Sequence, residues 1–292
     1  SDNVSNHNAL LRRLSENGNI TSVTGREIVR ELEYASNGTV GFYTGYETLD
    51  VSPSDVLTSA SFSYKQMAGN VTISGLEQIQ NSGTEAIINL LESRIGVLEK
   101  TMANTLSESL YSDGTGSDGK EVGGLQLLVA DAGTGTVGGI NSSTFTFFQN
   151  VQTTATSSAF STTNIQTDMN TIYLSLVRGA DSPDLIMADT NAYKSFLGSL
   201  QAIQRVTSDR VASSGFTSVQ YLNSDVIFDD ACPANKMYFL NTDYLRLEVA
   251  ANRNFVPGEA KMSVNQDAMV TPMFWSGNLT CSNRALQGVI HV

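Results

Sequence analysis

Apolar positions recur every three or four residues between Thr84 and Tyr111, at Ile87, Leu91, Ile95, Leu98, Met102, Leu106 and Leu110. That spacing draws one apolar stripe along a helix of roughly 40 Å. Glu92, Arg94, Glu99, Lys100 and Glu108 take the other faces, and the run contains no Pro and a single internal Gly, Gly96. Upstream the period changes. The segment from Gly38 to Glu77 is rich in Thr, Ser, Tyr, Phe and Val, and "SFSYKQMAGNVTIS" within it alternates. This predicts two strands around a long open excursion. The excursion has too few large apolar residues to bury both faces, so it calls for a partner surface. Before it, Thr24 and Glu27 form a capping box ahead of Ile28, Val29 and Leu32, which predicts a short helix. The polar start of the chain, with its "ALLRRL" patch, reads as an extended or weakly helical arm.

Beyond the long helix, "GLQLLVAD" reads as a strand, followed by a long uncharged Gly/Ser/Thr segment suited to loops. Helical spacing returns in "TTNIQTDMNTIYLSLVRG", closed by Gly179, and "SPDLIMAD" follows as a buried strand. "TNAYKSFLGSLQAIQRVTS" is a further helix behind an Asp-Thr-Asn cap. "SVQYLNSDVIFDDACP", "KMYFLNTDYLRLEVAANRNF" and the C-terminal "KMSVNQDAMVTPMFWSGNLTCSNRALQGVIHV" supply the remaining strands. The fold class is α+β.

Composition changes this picture in one respect. Charged residues are 16% of the 292, against 40% hydrophobic, whereas a lone globule carries nearer a quarter charged. A surface covered by other copies of the chain would account for the deficit. The net charge of -12, with no basic residue between Lys120 and Arg178, argues against tight nucleic-acid binding. Cys232 and Cys281 fit neither a disulfide framework nor a zinc pattern. No apolar run reaches the roughly 20 residues of a membrane helix, and no secretory signal opens the chain. The first residue is Ser, which predicts a removed initiator Met or a longer removed leader.

One motif suggests chemistry. Gly114 to Lys120 spells G-x-x-x-x-G-K, seven of the eight positions of a phosphate-binding loop. The eighth is Glu121 in place of Ser or Thr, and its carboxylate would repel a phosphate. A helix precedes the loop and a strand is expected after it, the reverse of what phosphate binding needs. A helix stop and turn is the simpler reading, with Gly114 or Gly116 at positive φ. Asp113 and Asp118 lack the Glu that ends a calcium loop. His7 and His291 sit near opposite chain ends, and the adjacent Asp229 and Asp230 would face opposite ways on a strand. No catalytic group, metal or cofactor is expected.

The order of elements nevertheless resembles a known family. "GFYTGYETLD" leads into the excursion, "GNVTISGLEQIQNSG" runs into the helix, and "LYSDGTGSDGKEVGGLQLL" leaves it. With "DLIMADTNAYKSFLGSL", "NSDVIFDDACPANKMYFLNTDYLRLEV" and "RALQGVIHV", the chain resembles the major capsid protein of tailed bacteriophages, the Hong Kong 97 fold. The resemblance implies an N-terminal arm and short helix (1–38) and an extended loop over a neighbouring subunit (39–76). It implies a peripheral domain (77–121 and 236–281) with a spine helix at 84–111, and an axial domain (122–235 and 282–292). It further implies self-assembly into hexamers and pentamers of an icosahedral shell around double-stranded DNA. Such a shell has portal and scaffolding proteins as partners, sometimes a decoration protein, and is a virion capsid built in the bacterial cytoplasm. Candidate subunit contacts are Phe42, Tyr43, Tyr46, Tyr64 and Lys65, with Arg12 and Arg13 of the arm. Some family members cross-link through a Lys–Asn isopeptide bond. Lys65 is the only lysine of the excursion, and a surface or interface salt bridge is its plainer role. The competing expectation is an acidic α+β enzyme or ligand-binding protein.

Overall fold

The computed structural model describes residues 8–80, 87–200 and 218–292. The start of the arm, the first predicted positions of the long helix and the end of the helix predicted past Leu200 lie outside the described residues. From its start the described chain runs through helix α1 (Ala9–Glu16), then strands β1 (Ile20–Val23), β2 (Ile28–Glu33), β3 (Leu57–Phe62) and β4 (Lys65–Ser74). Helices α2 (Gly75–Gln80) and α3 (Ile87–Ser109) follow, then the single turns α4 (Gly116–Gly119) and α5 (Leu125–Leu128). Next come the small hairpin of β5 (Thr136–Val137) and β6 (Ile140–Asn141), strand β7 (Val151–Thr154), helix α6 (Ile165–Leu176), strand β8 (Leu185–Ala188) and helix α7 (Thr190–Ser199). The last part is all strand: β9 (Ser218–Tyr221), β10 (Ser224–Phe228), β11 (Lys236–Leu240), β12 (Leu245–Ala250), β13 (Val256–Pro257), β14 (Lys261–Met262), β15 (Ala268–Cys281) and β16 (Gly288–His291).

Two six-stranded sheets organise these elements. The first is built on β15, the longest strand. β4 runs antiparallel along one side of it, from Ala268 opposite Ser74 to Gly277 opposite Lys65. β12, β13 and β14 share the other side, and β1 adds in parallel to β12. The apolar stripe of α3 lies on β4, where Gly69 gives Leu98 and Met102 room to approach.

The second sheet has the order β7-β16-β11-β8-β10-β9. Its central strands are continuous apolar runs because both faces are covered. Ile186, Ala188, Val226, Met237, Phe239 and Ile290 face α6 and α7. Leu185, Met187, Ile227, Tyr238, Leu240 and Val289 face the other way, into a cluster shared with Leu10, Leu14, Leu106, Leu110 and Trp275. One apolar cluster therefore joins the two sheets.

Several expectations fail here for identifiable reasons. The segment expected as a helix behind Thr24 is strand β2, paired with β3 from Ile28 opposite Phe62 to Glu33 opposite Leu57. Its apolar residues fit a strand as well as a helix, and the distant partner decides. "GLQLL" forms the turn α5 instead of a strand, because Gly124 passes beneath the end of α3 and Leu125 N–H donates to Leu110 O at 2.7 Å. A Cβ at Gly124 would run into that carbonyl. Residues 65–74 belong to the first sheet and not to the excursion, and 236–240 pair within the second sheet and not the first. α6 ends at Leu176 with Val177 already extended, and Gly179 sits in the following turn at φ +62°.

The excursion thus runs from β2 to β3, and its root is firmly held. Ile28, Leu32, Ala60 and Phe62 are buried in the joint cluster. Arg30 pairs with the buried Glu248 of β12. Tyr34 stacks against Phe147 with ring centroids 5.4 Å apart. Ser61 N–H donates to Gly138 O at 3.0 Å, in the turn between β5 and β6. Gly138 has φ +57°, and a Cβ there would stand 2.6 Å from that of Ala60.

A second anchor is the fully buried Arg284, just before β16. Its Nε donates to Leu128 O, Nη1 to Ser142 Oγ and Phe148 O, and Nη2 to Asn150 Oδ1, at 2.6–3.0 Å. Burial lowers its pKa to about 10, which leaves it charged at neutral pH. This one cation closes four acceptors from α5, the turn after β6, the turn before β7 and the approach to β7.

Two outcomes follow. Arg284→Met should lower the unfolding free energy by on the order of 3 kcal/mol, since buried acceptors lose a charged donor; denaturant unfolding with an unchanged midpoint would contradict this anchor. Gly138→Val should cost about 2 kcal/mol through the left-handed backbone and the Ala60 contact. Hydrogen exchange should then speed up in β3 before it changes in β8.

Candidate subunit interface

Between Tyr34 and Val56, whose backbones close the last rung at 3.0 Å, the chain leaves the body of the protein. The described hydrogen bonds of this loop are local: Thr39 to Asn37, Thr44 with Glu47, and Ser52 to Asp50. The Ser52 hydroxyl and N–H hold the Asp50 carboxyl below its ordinary pKa. Phe42 and Tyr46 are fully exposed, and Tyr43, Val40, Leu49 and Val51 are mostly so. The loop carries Glu47, Asp50 and Asp55 and no basic residue. An exposed stretch of six large apolar side chains on a monomer marks an interaction surface.

The structure separates the residues that the sequence grouped. Phe42, Tyr43 and Tyr46 share the loop. Tyr64 does not; it is half-buried and packs on the common core at the start of β4. Lys65 makes no salt bridge among the described residues, and its Nζ donates to Gly119 O at 2.6 Å. Arg12 is exposed on α1 near Glu16. Arg13 is 4% exposed and ion-paired to Asp225 inside the subunit, so it is no surface contact. Sequence reasoning missed Leu49 and Val51, although "TLDVS" carried them in plain view. It also missed Leu76, Ile79, Met262 and Val264, exposed on α2 and around β14, which no local pattern singles out.

The G-x-x-x-x-G-K segment is a joint. Gly114, Ser117, Asp118 and Gly119 all have positive φ, whereas Gly116 does not. Asp113 Oδ1 accepts from Thr115, and Ser112 Oγ donates to Glu121 Oε2 at 2.8 Å. The Glu121 carboxylate lies against Gly116, within the ring of the loop. The joint, Lys65 and the end of α3 border a cleft of about 410 Å³ floored by Met67, Leu106 and Trp275.

Other ionisable groups serve the fold. Arg94 forks onto Glu77, holding its carboxyl at a pKa of about 2 and tying α2 to α3. Burial, with Arg246 nearby, lowers the pKa of Arg30. Burial also pushes the thiols of Cys232 and Cys281 up, the latter to about 12. Asp229 is buried at the end of β10, accepting from Tyr111 OH at 2.8 Å, while Asp230 faces solvent. Among the described residues no group of three His, Cys, Asp or Glu side chains is placed to hold a metal. None of the described helices is long and apolar enough to cross a membrane.

No protein-family model matches the sequence, and no characterised protein sequence matches it. Solved structures do. The subunit in the capsid asymmetric unit of cyanophage A-1(L) superposes with a TM-score of 0.76 at 17% identity, covering 94% of this chain and 90% of that one. The capsid of a native GTA particle gives 0.69 at 9% identity, covering 95% and 89%. The holo-SrpI encapsulin complex from Synechococcus elongatus PCC 7942 gives 0.64 at 10% identity, covering 100% and 92%. With an arm helix, a long rooted hairpin, a spine-like helix and two sheets in the same order over nearly the whole chain, the protein has the Hong Kong 97-type capsid fold.

Proposed function

We propose that this chain is the major capsid protein of a tailed phage, building hexamers and pentamers of an icosahedral shell around double-stranded DNA. The observation that carries the reading is the likeness to the cyanophage capsid subunit across 94% of the chain. The exposed apolar loop and the low charged fraction support it independently, since both call for a surface covered by further copies. In this reading the loop between β2 and β3 reaches over a neighbour. The first sheet with α3 is the peripheral domain, and the second sheet with α6 and α7 is the axial domain. The role is structural and calls for no catalytic group. Portal and scaffolding proteins, and a decoration protein, are the partners it implies, with the virion capsid as location and the host cytoplasm as the place of assembly.

Electron microscopy of the purified protein should show closed shells or capsomers; a stable small monomer at high concentration would end this reading. Nuclease-resistant DNA inside particles made in infected cells would separate a genome shell from one holding other contents. A Phe42→Ser/Tyr46→Ser variant should keep its melting temperature, because fully exposed positions seldom shift stability beyond about 0.5 kcal/mol. It should also need at least about tenfold more protein to assemble, as expected for loss of aromatic anchors, measured by light scattering.

A further inference from the structure

We propose that α1 is a latch: it opens from the junction between the two sheets as a unit, while both sheets stay folded, and the Arg13–Asp225 pair is its release point. The proposal stands whether or not the chain forms shells. α1 buries one narrow face, Ala9, Leu10 and Leu14 with Arg13 among them. Leu10 and Leu14 enter the apolar cluster that joins the sheets. Beside that apolar packing, the polar hold on the second sheet is chiefly one bond, Arg13 Nη2 to Asp225 Oδ2 of β10 at 2.7 Å. Nε and Nη1 of the same guanidinium are buried and find no acceptor among the described residues.

A buried cation with unmet donors carries a desolvation cost that a single ion pair barely offsets. The remaining polar link is weak. Leu10 N–H reaches Asp229 Oδ2 at 3.4 Å, but that oxygen already accepts from Tyr111 OH at 2.8 Å and does not need α1. The helix begins without a side-chain cap at Asn8.

The chain beyond α1 is anchored separately. Asn17 Nδ2 donates to Thr242 Oγ1 and Asn19 Nδ2 to Thr242 O, and β1 then pairs with β12. Thr242 is held in turn by Asp184, which accepts its N–H and hydroxyl at 2.7 and 2.6 Å. Gly18, at φ +72° with no heavy atom within 4 Å of where a Cβ would stand, lies between Asn17 on the helix side and Asn19 on the β1 side, and Asn19 N–H donates across it to Leu14 O at 2.8 Å. Rotation there gives up the Asn19–Leu14 bond and the Asn17–Thr242 bond, and leaves Asn19 Nδ2 on Thr242 O and the pairing of β1 with β12 in place. Opening would bare the carboxylates of Asp225 and Asp229 above an apolar floor.

Hydrogen exchange of the full chain, read by mass spectrometry on peptides covering 9–17, β8 and β11, tests this. In the wild type the α1 peptide should exchange at least about tenfold faster than β8 and β11, as a separate low-stability unit. Arg13→Met strands the buried carboxylate when the latch is shut, so α1 should exchange on the order of a hundredfold faster, with β8 and β11 unchanged. Arg13→Met/Asp225→Leu removes both charges and should return α1 to the wild-type rate or below it. Equal protection of α1 and the strands in the wild type would overturn the proposal. So would a uniform acceleration of all three peptides in Arg13→Met, because α1 would then open only with the whole protein.

Discussion

The end of the long helix is the point on which the rest of the subunit depends. α3 lies along β4 of the first sheet, yet Leu106 in its last turn, with Leu110 and Tyr111 just beyond it, is buried in the cluster beneath the second. Leu125 N–H closes on Leu110 O across Gly124, and Tyr111 OH closes on Asp229 at the end of β10. The two sheets share no strand, so their relation is fixed by side chains gathered at this helix terminus. The joint that follows must turn sharply to let the chain pass under it, which explains a loop so rich in positive φ. Lys65, at the start of β4, then ties the outer side of that loop back to the first sheet.

That arrangement gives the hairpin two footings. Arg30 reaches Glu248 in the first sheet, while Tyr34, Ala60 and Ser61 rest on the segment that leads into the second. A two-stranded ribbon is marginal by itself, and here six residue pairs stand on a buried base with about twenty residues beyond it. The rigid root sets the direction of the tip, while the tip has no core of its own. In the proposed shell a neighbouring copy would cover its exposed aromatic residues.

Much of this was legible where structure is local. The stripe of α3 put Met102, Leu106 and Leu110 on the buried side, Asp189 capped α7 as its position suggests, and Glu121 already argued against a phosphate loop. What failed was set by distant partners. Ile28, Val29 and Leu32 satisfy a helical template, and only pairing with β3, far along the chain, makes 28–33 a strand. Leu125, Leu127 and Leu128 look like a strand until Leu110 O captures the backbone ahead of them. Tyr64 and Lys65 were assigned to the excursion because the alternation of 61–74 does not show that its partner is β15. Arg13 looked like a surface cation because a buried guanidinium leaves no local signature: its acid lies more than two hundred residues away. The exposed aromatics of the loop themselves were visible in a segment that could not bury them.

The distribution of cations bears on how the proposed shell would hold its contents. Of the 17 lysines and arginines, Arg13, Arg30, Arg94 and Lys236 are ion-paired within the subunit. Lys65 and Arg284 are bound to backbone and neutral side-chain oxygens of the subunit. Among the described residues these six cations are committed to the fold, four of them each with an acid as partner. Affinity for a nucleic-acid backbone grows with the number of phosphates neutralised by free lysine and arginine. A wall built from this chain has few of them to offer. If it forms the proposed shell, it would retain DNA by enclosure, and confinement would rest on contact between copies of the chain.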